Sequence, residues 1–167
     1  MFNWTVEPLE KGHERSAFSC GQPARDDFIR TRVSQYEKRR LGRTFVAVAP
    51  GNKQVIGYYT LAAGAVAFKH LPSNAAQKLP RHPIPVVLLA RLAVDQSSQG
   101  KRLGDGLLLD ALQRALDLSA GLGIHSVEVD AFDPAAGAFY QKYGFFPLLD
   151  DPLHLYLPIP TVEVLLG

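Results

Sequence analysis

Polar and apolar residues along this chain follow two periods, and the switches between them mark its elements. In residues 22–40, QPARDDFIRTRVSQYEKRR, Ile29, Val33, Tyr36 and Arg40 stand three and four positions apart. That spacing predicts an amphipathic helix with a basic end, closed by Gly42. TFVAVA (44–49) predicts a strand, the Pro-Gly-Asn of APGNKQ (49–54) a turn, and QVIGYYTLAAGAV (54–66) the partner strand of a hairpin. Residues 70–85 hold four prolines and predict a connector with about one helical turn. VVLLARLAV (86–94) is apolar on both parities, as suits a strand covered on both faces.

A longer helix follows the loop around residues 97–104. Leu103, Leu107, Leu108, Ala111, Leu112, Ala115 and Leu116 trace one face, and Gly121 and Gly123 end it. Val127, Val129 and Ala131 alternate with Glu128 and Asp130 as a strand. Asp133 then caps a helix with proline at its first position, running to about Tyr143 and stopping at Gly144. LHLYLPI (153–159) predicts a last strand, and its prolines favour an edge. The order β-α-β-β-connector-β-α-β-α-β predicts an α/β fold: one domain over residues 1–167, with a mixed central sheet flanked by helices.

Composition narrows the class. With 47% hydrophobic and 20% charged residues, the 167-residue chain has enough apolar surface for a core. Cys20 is the lone cysteine, and the five histidines have no zinc spacing, so no metal site is expected. The N-terminus lacks the charge-then-apolar pattern of a signal peptide, and no stretch is apolar for about 20 residues, so a cytoplasmic protein is expected. The net charge of +2 hides a split: residues 1–104 carry 16 Lys/Arg against 7 Asp/Glu, residues 105–167 carry 2 against 9. Such a split fits a face for a polyanion, or two halves that intermix on folding.

The candidate chemistry begins at QGKRLG, residues 99–104. The first amides of the following helix lack carbonyl partners, Gly100 and Gly104 permit close approach, and Lys101 and Arg102 add charge. Together they predict an anion site suited to phosphate, or else an ordinary helix start with a solvated basic turn. Neither G-x-x-x-x-G-K-[ST] nor G-x-G-x-x-G is present, which argues against ATP and NAD.

LARLAVDQSSQGKRLGDGLL, followed about 30 residues later by DPAAGAFYQKYGFFP, resembles the GNAT superfamily of acyl-CoA-dependent N-acetyltransferases. Gln99, Leu103 and Gly104 meet its loop signature [RQ]-x-x-G-x-[GA]. Asp133, Ala136, Phe139, Tyr140, Gly144 and Phe145 meet the second half. The resemblance implies a coenzyme A site. Gln99, Gly100, Lys101, Arg102, Leu103, Gly104 and Asp105 would hold the pyrophosphate, Leu92, Ala93 and Val94 would pair with pantetheine, and Asp133 and Phe139 would border the cofactor. Two positions depart from the pattern. Arg102 stands where glycine is usual, which is tolerable with ordinary helical backbone angles; Asp133 replaces asparagine, keeping the cap but losing an amide donor.

Acetyl transfer to an amine needs a neutral nucleophile, a stabilised oxyanion and a protonated leaving thiolate. The resemblance implies Tyr140 as general acid to the sulfur, since a phenol with ordinary pKa near 10 stays protonated at neutral pH. Tyr143 would pack or touch the cofactor edge, and a backbone N–H near Val94 would serve the oxyanion. Asp95 and Glu128 are the candidate bases, Asp95 being equally a loop cap. The lack of a clear base favours an α-amine, which titrates at about 7.7–8.0, over a lysine side chain.

Nearly the whole chain, from HERSAFSCGQPARDD to DPLHLYLPI, resembles the GNAT toxins of bacterial toxin–antitoxin modules. That resemblance implies acetylation of the α-amine on charged tRNA, a homodimer and a ribbon-helix-helix antitoxin. Residues 25–43 carry seven Lys/Arg against three acids and residues 69–102 six against one, and either stretch suits tRNA phosphates. Lys38, Arg39, Arg40 and Arg43 are then tRNA contacts or a solvated helix end. Arg91 orients the tRNA acceptor end, steadies the cofactor or forms an internal ion pair. The alternatives are an acetyltransferase of a small-molecule or protein amine, and a non-catalytic coenzyme A-binding partner of an antitoxin.

Overall fold

The computed structural model describes residues 3–167. In chain order it contains β1 (Thr5–Pro8), α1 (Pro23–Asp27), a π-helical turn (Phe28–Arg32), α2 (Val33–Lys38), β2 (Arg43–Val48) and β3 (Gly57–Val66). A 3-10 turn (Phe68–His70) and α3 (Ser73–Ala76) lead to β4 (Ile84–Val94). After a second 3-10 turn (Gln96–Ser98) come α4 (Leu103–Ser119), β5 (Ser126–Asp130), α5 (Pro134–Gln141), β6 (Phe146–Pro147), β7 (His154–Pro158) and α6 (Ile159–Leu166). The strands follow the order β1-β2-β3-β4-β5-β7-β6. β4 and β5 are parallel, whereas β1–β2, β2–β3, β5–β7 and β6–β7 are antiparallel. This is the mixed-sheet α/β class expected from the sequence.

Two compact units divide the chain. The first comprises the described residues up to Ala62 with Ala90–Ala111; the second comprises Ala63–Leu89 with Leu112–Gly167. In the first, Phe18, Phe28, Ile29, Val33, Val46, Tyr58 and Ala93 form one buried cluster. In the second, Val66, Leu71, Ile84, Val86, Leu148 and Tyr156 form another. The predicted face of α4 is buried along most of its length: Leu103, Leu107, Leu108, Ala111, Leu112 and Ala115 are all at most 1% exposed, and Leu116 is half-buried.

Four sequence expectations need correction. The helix over residues 22–40 is interrupted by the π turn, where the Thr31 hydroxyl donates to the Asp27 carbonyl (2.9 Å) and Arg30 Nε reaches out to the Phe18 carbonyl (2.8 Å). It closes before Gly42. Arg40 takes a left-handed φ of 58°, and the Leu41 N–H bonds back to the Tyr36 carbonyl at 3.0 Å, a Schellman-type ending. β7 is no edge strand, because it lies between β5 and the two-residue β6. Its prolines fall at its end and beyond, where they start α6, a helix the sequence analysis did not predict.

Gly57 sets how closely α4 seats on β3 within the first unit. A Cβ there would lie 2.9 Å from Leu107 Cδ1, 3.1 Å from Leu103 Cδ2 and 3.3 Å from the Ala93 carbonyl oxygen. Gly57→Ala is therefore expected to lower stability by roughly 1–3 kcal/mol in urea unfolding. Gly121→Ala, whose Cβ meets nothing within 4 Å, should stay within about 0.5 kcal/mol of the parent.

Candidate active site

The loop entering α4 is shaped by backbone handedness. Gly100 has φ 78° and Arg102 φ 65°, so the chain turns through the left-handed region twice within three residues. This corrects the expectation of ordinary helical angles at Arg102, and for an arginine it costs about 1–2 kcal/mol. The first intrahelical bond is the Gly106 N–H to the Arg102 carbonyl, 3.1 Å. The amides of Leu103, Gly104 and Asp105 precede it, at the positive end of a 17-residue helix. Val94, Ser98, Gln99, Gly100, Arg102 and Leu103, with Gly104 and Asp105, line an open cleft of about 320 Å³.

Side chains hold the loop to its neighbours in the first unit. Gln99 Nε2 donates to the carbonyls of Val94 (3.0 Å) and Cys20 (3.2 Å). Asp95 accepts from the Ser19 N–H at 2.8 Å, the Ser97 N–H at 3.0 Å and the Ser97 hydroxyl at 2.5 Å, while the Gln96 N–H donates to the Ser19 carbonyl at 2.8 Å. Burial opposes the charge of Asp95, but these donors outweigh it and hold its carboxyl below the usual range. Asp95 is thus the cap of the two open readings, poorly suited to act as a base. Burial, with Asp26 beside it, pushes the Cys20 thiol up, away from the reactive thiolate. Ser19 and Cys20 were missed in the sequence because their only signal was the SCG turn ahead of α1.

Each predicted cofactor residue has a definite place. Leu103 is 1% exposed, so its side chain is core and only its backbone could face a ligand. Lys101 and Arg102 are exposed, and Arg102 Nε lies 3.7 Å from Asp105. The β4–β5 ladder covers Val86–Leu89, so Leu92, Ala93 and Val94 lie beyond it on β4. A cleft of about 120 Å³ lined by those three residues, Cys20, Gln22, Arg25 and Gln99 runs along them. An amide-rich, cationic turn beside a stretch of strand outside the ladder fits a phosphate-bearing, extended ligand such as coenzyme A.

In the second unit, Asp133 caps α5 through Oδ1, which accepts the Ala136 N–H at 2.8 Å. Tyr140 is 8% exposed, edge-on to Phe139 (5.2 Å between centroids) and Phe145 (5.5 Å). Tyr143 also meets Phe139 edge-on, at 5.8 Å, with Lys142 Nζ 5.4 Å from the Phe139 ring. Glu128 is buried on β5 beside His154.

Of the basic residues, Arg91 lies over the Phe28 ring at 3.7 Å and 5.1 Å from that of Tyr36, a cation–π arrangement where an ion pair had been one reading. Lys38, Arg39, Arg40 and Arg43 are exposed at the end of α2 and start of β2, Arg43 pairing with Glu37 at 3.0 Å. Among the described residues no group of three or more His, Cys, Asp or Glu side chains is arranged to hold a metal ion. No described helix is long and apolar enough to cross a membrane.

These features have counterparts in known proteins. The model of the acetyltransferase (GNAT) domain matches residues 40–147. A tRNA-acetylating toxin of Mycobacterium tuberculosis is 38% identical over 152 residues, covering 91% of this chain and 90% of its own. AtaT complexed with acetyl-methionyl-tRNAfMet superposes with a TM-score of 0.91 at 30% identity, over 98% of this chain and 99% of that one. A tyrosine-to-phenylalanine variant of AtaT, bound to the C-terminus of the antitoxin AtaR and acetyl-CoA, gives a TM-score of 0.83 at 28% identity over 98% of both chains. The chain belongs to the GNAT acetyltransferase family, and is an N-acetyltransferase.

The left-handed turn generates a test of what holds the anion. Replacing Arg102 with glycine keeps the turn and removes the charge, whereas valine removes both. Coenzyme A affinity, measured calorimetrically, should fall about threefold or less in Arg102→Gly and about tenfold or more in Arg102→Val. Equal losses would mean that the guanidinium, not the backbone, carries binding.

Proposed function

We propose that the chain, acting as one catalytic domain, is a toxin that transfers acetyl from acetyl-CoA to the α-amine of aminoacyl-tRNA. The observation that carries this reading is its near-full-length likeness to a tRNA-acetylating toxin. The superposition on AtaT holding acetyl-methionyl-tRNAfMet supports the same acceptor. Acetyl-CoA supplies an activated acyl group as a thioester; the chain's residues bind, orient and move protons. The amides of residues 100–105, with Lys101 and Arg102, take the pyrophosphate, and the main chain of Leu92–Val94 pairs with pantetheine. Asp133 fixes the start of α5, and Phe139 backs Tyr140.

Tyr140 is the general acid to the leaving sulfur, its ring held edge-on against Phe139 and Phe145. A backbone N–H near Val94 faces the developing oxyanion. Arg91, fixed over Phe28, orients the acceptor end, and Lys38, Arg39, Arg40 and Arg43 take tRNA phosphates. The protein works in the cytoplasm as a homodimer, neutralised by an antitoxin of ribbon-helix-helix type. Binding of AtaT to the C-terminus of its antitoxin AtaR supports an antitoxin partner.

The deciding experiment follows labelled acetyl from acetyl-CoA to total charged tRNA, with deacylated tRNA, spermidine and a lysine peptide alongside. Label is expected on charged tRNA alone; label on spermidine or peptide instead would overturn the acceptor. Tyr140→Phe should lower turnover by roughly 10²-fold without changing acetyl-CoA affinity. Reversing charge at Arg39 and Arg40 should flatten the salt dependence of tRNA use by about two in log–log slope, if each neutralises one phosphate. An unchanged slope would make that patch a solvated face.

A further inference from the structure

A row of titratable groups in the second unit has no part in the roles above. On β5 and β7, Glu128 stands opposite Tyr156 and Asp130 opposite His154, which places Glu128 and His154 as diagonal neighbours on one face. Glu128 Oε2 meets His154 Nε2 in a short contact, and His154 Nδ1 lies 2.9 Å from both Asp150 oxygens. His70 Nδ1, from the turn Phe68–His70, is 3.8 Å from Asp150. The row thus runs from a carboxylate side chain 10% exposed, through a histidine 14% exposed, to a carboxylate 31% exposed.

The other oxygen of Glu128 is uncommitted. Oε1 makes no hydrogen bond to the described residues, and because no fully buried side-chain oxygen among them lacks a partner, it keeps some exposure within a side chain that is nine-tenths buried. Gly64 of β3 lets Oε1 pack close to the strand backbone, since a Cβ there would sit 3.2 Å from Val86 Cγ2, 3.3 Å from Oε1 and 3.3 Å from Leu88 Cβ. Leu88 is paired with Glu128 one step before the last pair of the β4–β5 ladder, Leu89 with Val129. Gly64 and Leu88 are uncharged, so the titratable groups around Glu128 are His154 and Tyr156 of β7. Around His154 they are Glu128 and Asp130 of β5 and Asp150, with His70 behind Asp150.

We propose that Glu128 Oε1 receives the acceptor amine, and that Glu128, His154 and Asp150 form the path by which its proton leaves. The inference rests on reading the chain as an amine acetyltransferase. An ammonium N–H proton passes to Oε1, and the carboxyl returns to its ionised form as His154 Nε2 takes a proton. Asp150 holds the Nδ1–H and stabilises the imidazolium so formed. The neutral amine then bonds to the acetyl carbon as the C–S bond breaks. The sulfur takes the Tyr140 proton, and the phenolate takes the remaining proton from the new amide nitrogen. One proton is released overall.

The histidine is tuned for this. Burial opposes its charged form, but the hydrogen bonds to Glu128 and Asp150 and the charge of Asp130 outweigh burial and lift His154 above the ordinary histidine value. That rise moves the acceptor toward the α-amine, which ordinarily titrates at about 7.7–8.0. His154 accepts only when neutral, so the acid limb of the rate profile lies above the ordinary histidine value. Removing Asp150 should move it down.

The test is kcat/KM against pH for the parent, Glu128→Gln, His154→Gln and Asp150→Asn, on charged tRNA and on an amino-acid methyl ester, with acetyl-CoA affinity measured for each. Glu128→Gln and His154→Gln should lose about 10²-fold at pH 7, a deficit that narrows above pH ~8.5 as the α-amine sheds its proton unaided. Asp150→Asn, at the exposed end, should fold normally and shift the acid limb down by ~0.5–1 pH unit. No loss in Glu128→Gln, or a pH-independent loss with an unmoved limb in Asp150→Asn, overturns the relay. Transfer to the ester but not to tRNA would refute the tRNA acceptor, and the pH comparison on the ester would still decide the relay. Transfer to neither overturns both.

Discussion

The seating of α4 against β3 at Gly57 is the constraint on which the anion loop depends. Leu103 and Leu107 occupy the volume a side chain at Gly57 would need, with the Ala93 carbonyl close behind. Because Leu103 is the first residue of α4, burying it decides where the helix begins and which amides stand ahead of the first intrahelical bond. The loop then has only residues 95–102 in which to leave β4 and enter that fixed start. It does so through left-handed angles at Gly100 and Arg102. The strain at Arg102 is held by the bonds of Gln99 and Asp95 to the Val94, Ser19 and Cys20 backbone, which leave the loop few alternatives.

How much of this was legible follows from the range of each signal. The α4 face and the Asp133 cap are written in residues three and four apart, and both formed as read. The π turn is not local: Arg30 reaches back to Phe18, and Thr31 intercepts the Asp27 carbonyl, so the helical spacing of Ile29, Val33 and Tyr36 survives while its hydrogen bonds change. Helix α6, IPTVEVLL, reads as β-prone through its threonine, isoleucine and valines. Proline near its first position and burial of Ile159 and Val162 make it a helix instead. The GNAT signature marked the loop and Tyr140 because both lie within short motifs. The strap from Ser19 and Cys20 joins residues some 76–79 positions apart, a pairing that only the fold brings about.

The charge asymmetry of the sequence takes on a different meaning once the groups are placed. Read as a line, 16 basic residues against 7 acidic before residue 105, and 2 against 9 after it, suggested a face for a polyanion. The basic excess does include exposed groups, Lys38, Arg39, Arg40 and Lys101 among them. The acidic excess is more than a counterweight, because Glu128 and Asp150 bracket His154 in a partly buried row. Phosphate binding calls for cations and amides that never change protonation, and on the proposed reading the exposed arginines and the start of α4 would supply them. Handling an amine proton calls for groups whose charge does change near neutrality, and a histidine between two carboxylates supplies that. A toxin acting on aminoacyl-tRNA needs both, since its acceptor is a polyanion ending in a titratable amine. If both proposals hold, placing the two chemistries on different stretches of chain would let tRNA affinity vary through surface charge without disturbing the proton path.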